Sequence, residues 1–108
     1  MIQVVKTGYI DENKSFLISP VRGEILKIIV VTARPLPTVK VKLTTNDREV
    51  LCDDYLEEDY TKFYPKNLAK VSHEHSFPEN YIVFGSLSLE VSGLGDGEGI
   101  SEVRVYYK

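Results

Sequence analysis

An all-β fold is what this sequence predicts: an antiparallel β-sandwich or jelly-roll-like arrangement of seven to eight short strands in a single domain over residues 1–108. Three observations carry the expectation. Between Asn80 and Tyr107, Leu87, Leu89 and Val91 alternate with Ser86, Ser88 and Glu90, and Val103, Val105 and Tyr107 alternate with Glu102, Arg104 and Tyr106. A side-chain period of two places alternate residues on opposite faces of a strand. The glycine cluster Gly93–Gly99 separates the two runs, so they read as an antiparallel hairpin. Val39, Val41 and Leu43 alternate as cleanly with Lys40, Lys42 and Thr44. Ile28–Val31 is a β-branched run, which favours strand over helix.

The remaining elements follow in chain order. Ile2–Ile10 and Ser15–Ser19 read as strands across the polar turn Asp11–Lys14, a first hairpin. Pro20 and Gly23 punctuate the chain before Glu24–Ala33, whose centre is apolar on both faces and is therefore a strand buried on both sides or at an interface. Pro35 and Pro37 stop it, because proline donates nothing to a ladder. Thr38–Thr45, the turn Asn46–Arg48 and Glu49–Cys52 form another hairpin. Asp54 with Glu57 has the spacing of a capping box, and Leu56, Tyr60 and Phe63 fall on one helical face, so a short helix is expected around residues 54–63, ended by Pro65. Leu68–Ser72 reads as a short edge strand.

Composition bounds the function. A chain of 108 residues buries about 65% of its unfolded surface, enough for one core without metals or disulfides. The net charge of −3 argues against general affinity for nucleic acid, although Lys40 and Lys42 form a local basic patch. Cys52 is the single cysteine, so no disulfide framework exists, and the neighbouring Asp53 and Asp54 disfavour a thiolate. The start of the chain lacks the pattern of a signal peptide, and Ile28–Val31 is far too short to span a bilayer. The expectation is therefore cytoplasmic synthesis, with no nucleic-acid or membrane partner.

The chemistry-bearing groups are few. His73 and His75 would share a strand face and could hold one metal ion, but no third ligand is identifiable, so no metal or other cofactor is expected. The acidic run Asp53, Asp54, Glu57, Glu58 and Asp59 could ligate calcium, yet it lacks the EF-hand spacing and reads as a solvated face. Ser72 and Ser76 flank the histidines without a nucleophile elbow, and Gly93–Gly99 lacks the Lys-Ser/Thr of a phosphate loop. No catalytic residue is assigned. Seven tyrosines remain, and tyrosine is enriched at interfaces.

Gly23–Thr32, Val39–Thr45 with Val50-Leu51, Phe63-Tyr64-Pro65, Phe84–Gly93 and Val103–Tyr107 together resemble segments of small β-sandwich structural proteins of tailed phages and related proviruses. The likeness covers about residues 21–107, and Ile2–Ser19 has no matching motif. The resemblance implies a noncatalytic role in which the chain associates with itself or docks on a larger protein shell. Phe84, Tyr64, Tyr106 and Tyr107 are the expected interface or packing anchors. Two other function classes remain open: a carbohydrate-type binding module using tyrosines and the 53–59 segment, and a small metal-assisted enzyme using His73 and His75.

Overall fold

Eight strands account for most of the chain: β1 (Gln3–Lys6), β2 (Ser15–Val31), β3 (Leu36–Thr45), β4 (Val50–Leu56), β5 (Tyr60–Pro65), β6 (His75–Phe77), β7 (Ile82–Ser92) and β8 (Glu102–Tyr107). The computed structural model describes residues 1–45, 48, 50–65, 75–77 and 82–108, with the backbone alone for residues 65 and 75–77. The predicted edge strand at Leu68–Ser72 and the turn residues Asn46 and Asp47 lie outside the described residues. Among the described residues there is no helix. The all-β class is therefore the fold class of the protein.

The organising element is β2. The sequence reads as two strands broken at Pro20 and Gly23, but the chain runs as one strand of 17 residues. Its first part, Ser15–Glu24, pairs with β7, and its second part, Ile25–Val31, lies between β8 and β5. The ladder slips between Ile18 and Val21 and again between Ile25 and Lys27. Such bulges bend a strand and raise its twist. Gly23 sits at this bend with φ of 135°, and a Cβ there would collide with the carbonyl oxygen of Lys108. That carbonyl is already fixed, since it accepts from the Glu24 N–H at 2.8 Å. The curled sheet thus has the order β1-β8-β2-β7-β3-β4, with β5 on the other side of β2 and β6 beside β5. The β5–β6 pair is parallel and the other ladders are antiparallel.

Two of the three predicted hairpins do not form. β3 and β4 pair as expected. β1 instead pairs with β8, and the first part of β2 pairs with β7, so the Asp11–Lys14 turn joins strands on opposite sides of an open seam. Likewise β7 pairs with β2 and β3, whereas β8 pairs with β1 and β2. The glycine-rich segment is a crossing between the two halves of the sheet. Asn13 holds it: its amide donates to the Leu94 carbonyl at 3.1 Å, and its side-chain oxygen accepts from the Leu94 N–H at 2.8 Å. Gly93 lies against the Thr38 carbonyl with φ of 86°, which leaves no room for a side chain.

The predicted helix at 54–63 is also replaced by strand. β4 joins the free edge of β3, and β5 joins that of β2, each gaining a ladder that a single helical turn could not offer. The Asp54 side chain accepts from the N–H of its own neighbour Tyr55 at 2.8 Å. Alternation then sets the faces of β5: Thr61 and Phe63 point inward and are buried, and Tyr60 and Lys62 point outward and are exposed. Thr32 secures the tight β4–β5 turn, donating its N–H to the Asp59 carbonyl at 2.8 Å.

The inward residues of both halves meet in one hydrophobic cluster. Val39, Val41 and Leu43 of β3 enter it as the alternation predicts, together with Ile28 and Val30 of β2 and Val103 and Val105 of β8. Among the described residues Phe63 is the one phenylalanine in its fully buried set.

Candidate functional site

The four expected anchor residues occupy three different environments. Phe84 lies on the outward face of the half formed by β2, β7, β3 and β4 and is 74% exposed. Tyr107 points inward at 7% exposure, and its hydroxyl donates to the Pro20 carbonyl at 3.4 Å. It is a packing residue. Tyr106 is its outward-facing neighbour on β8, half-buried, with the Lys27 ammonium 4.5 Å above its ring. Tyr64 is half-buried on β5, opposite Ser76 of β6. Tyr64 and Tyr106 thus share the outward face of the β1-β8-β2-β5 half, and the other two residues do not.

The two outward faces differ in character. On the β7 half, Leu17 is 70% exposed opposite Ser88, and Ile82 is 53% exposed opposite Glu24. Ile82 and Phe84 are alternate residues of β7 on that face, and Leu17 lies farther along the ladder, level with Ser88. Charges on that face balance. The basic patch expected from Lys40 and Lys42 is neutralised: the Lys40 ammonium sits 3.1 Å from Asp53, and Lys42 lies between Glu90 and Asp53. The hydrogen bond that Lys40 donates to Asp53 raises the Lys40 pKa.

On the β8 half, cross-strand register builds a row of outward residues, Lys6–Arg104–Ile29–Lys62, from β1, β8, β2 and β5. Beside it run Val4–Tyr106–Lys27 and Glu102–Val31–Tyr60. Ile29 points outward yet is only 7% exposed. Long cationic side chains cover apolar surface with their methylenes while keeping the charge in water. This explains the run apolar on both faces at Ile28–Val31. Arg104 is 3.2 Å from Glu102, and that hydrogen bond lowers the Glu102 pKa and raises that of Arg104. No sequence signal assembles this row, since its members are far apart in the chain.

The remaining groups stay apart. Cys52 is buried, and burial, then the Asp54 charge, pushes its thiol pKa up. His73 lies outside the described residues, and for His75 only the backbone is described. Among the described residues no three His, Cys, Asp or Glu side chains group to hold a metal ion. Tyr55 and Tyr60 are both exposed, one on β4 of one half and the other on β5 of the other. A cleft of about 220 Å³ follows the seam between residues 5–10 and 16–19. That is below the roughly 300–1,000 Å³ of ordinary ligand pockets.

No protein-family model matches this chain, and no curated protein or solved structure matches it either.

Proposed function

We propose that this chain is a noncatalytic structural or assembly protein that works through protein–protein contacts, in the manner of a virion or provirus shell component. The observation that carries this reading is the outward apolar pair Ile82 and Phe84 on β7, with Leu17 exposed farther along the same face. Large side chains exposed side by side on a sheet face cost solvation in an isolated chain, and exposed aromatic and aliphatic neighbours of this kind suit a protein contact. Aromatic anchors dominate such contacts. Phe84→Ala and Ile82→Ala, each with an unchanged melting temperature, will shift the association equilibrium in sedimentation velocity toward monomer by at least tenfold. Association as tight as that of the unmodified chain in both variants would refute the reading.

A further inference from the structure

The geometry points to the outward face of the β1-β8-β2-β5 half as a docking surface for a second copy of this chain, which it meets through the acidic β4–β5 turn of that copy. The inference rests on the assembly reading above and names one of its contacts. The face carries Lys6, Lys27, Lys62 and Arg104 against the single carboxylate Glu102 among the described residues. A face of +3 in a chain of −3 leaves −6 for everything else. Every approach of this face to the remaining surface of another copy is therefore attractive on average, and electrostatic complementarity sets orientation and speeds encounter.

Covering Ile29 does not explain the sign of these charges. Long side chains of mixed sign would cover it as well, and Lys6 stands directly opposite Arg104 on the neighbouring strand. Like charges in that position destabilise a sheet. Among the described residues Glu102 is the carboxylate that offsets them, through Arg104 and at longer range Lys6, and Arg104 also hydrogen-bonds with Tyr106. Arg104 still has a buried Nε with no acceptor. The like-charge cost falls on folding, and an acidic partner surface offsets it.

The complement is equally defined. Glu57, Glu58 and Asp59 are consecutive, exposed and without an ion pair among the described residues. Their backbone is fixed: the Thr61 hydroxyl donates to the Glu58 carbonyl at 3.2 Å, and the Asp59 carbonyl accepts from Thr32. A rigid acidic turn meeting a cationic row is a head-to-tail contact, which builds rings or filaments according to its rotation. The cationic row spans three strand spacings, about 14 Å, which a single turn can cover.

Sedimentation velocity of charge-reversal variants tests this. Lys6→Glu/Lys62→Glu leaves the Arg104–Glu102 pair in place, and Glu57→Lys/Glu58→Lys reverses the turn. Circular dichroism confirms that both remain folded. Each variant alone will lose self-association by at least tenfold, and an equimolar mixture will recover it, because the acidic turn of one fits the basic face of the other. Wild-type association will fall as salt rises from about 20 mM to about 500 mM, where screening acts within a few ångströms. Unchanged association of Lys6→Glu/Lys62→Glu overturns the inference and leaves the assembly reading standing on the apolar face. Failure of the mixture to recover association overturns the choice of the acidic turn. A wild-type chain that stays monomeric throughout overturns both. Binding of a single-stranded oligonucleotide that the face reversal abolishes, without self-association, assigns the face to nucleic acid and also overturns the inference.

Discussion

Phe63→Ala tests the strand assignment of residues 60–65 and the core it completes. Phe63 is fully buried on β5, directly opposite Ile28 of β2, which is also fully buried. Truncating such a ring removes its transfer free energy and leaves a cavity, at a cost of about 3–5 kcal/mol. Unfolding entropy of about 2.1 cal/mol/K per residue gives roughly 0.23 kcal/mol/K for this chain length, so the melting temperature should fall by about 13–22 °C. That loss is a large share of the roughly 5–15 kcal/mol that stabilises an ordinary domain. Thermal melts by circular dichroism give the value, and Phe63→Leu, costing about 1–1.5 kcal/mol, substitutes where the alanine variant does not fold. The informative control is Tyr60→Ala. On a helix Tyr60 and Phe63 would share a buried face and lose comparable stability. On β5 they point to opposite sides, so Tyr60→Ala should cost about 1 kcal/mol or less. Equal destabilisation by the two substitutions, or a fall below about 5 °C for Phe63→Ala, would rule out a buried Phe63 on a strand.

Other outcomes follow from the same geometry. Gly23→Ala forces a side chain onto the fixed Lys108 carbonyl at positive φ, so it should cost at least about 2 kcal/mol in urea unfolding. Gly97→Ala, also at positive φ but in open space, should cost only about 1 kcal/mol, and the reverse order would contradict the packing. Cys52 should resist a thiol-specific reagent in native buffer and react fully in denaturant, because burial holds the thiol protonated. Prompt native labelling would place it at the surface. The Glu102 carboxyl is held below its usual range by the hydrogen bond from Arg104. A depressed folded pKa stabilises above the unfolded value and is lost as pH falls through the folded one. The stability gap between the unmodified chain and Glu102→Gln should therefore be full near neutrality and close on acidification, and a gap that widens in acid would contradict it.

Individual strands were legible in the sequence, and their partners were not. The alternation in β3, β7 and β8 reports which side chains point inward, a local property. Pairing depends on what lies across the sheet. β7 and β8 look like a hairpin because a glycine cluster joins two alternating runs, yet each finds its ladder on the long strand β2. β2 itself reads as two pieces because Pro20 and Gly23 mark a bend, and a bulged strand accommodates the bend without ending. The capping-box spacing at Asp54–Glu57 is a local preference worth about 1 kcal/mol, and the open edges of β2 and β3 outweigh it. The cationic row was beyond reach for the same reason. Lys6, Ile29, Lys62 and Arg104 become neighbours only through three ladders. Of the expected anchors, Tyr106 and Tyr107 do point to opposite faces, as the period of two requires.

The central claim is that this chain works by associating through its outward faces. Its solution mass, from light scattering after size-exclusion chromatography over a range of concentrations at low and high salt, tests that most directly. At low salt the mass should lie well above the 12.3 kDa of one chain and fall as salt rises. A mass of one chain at every concentration and both salts would contradict it.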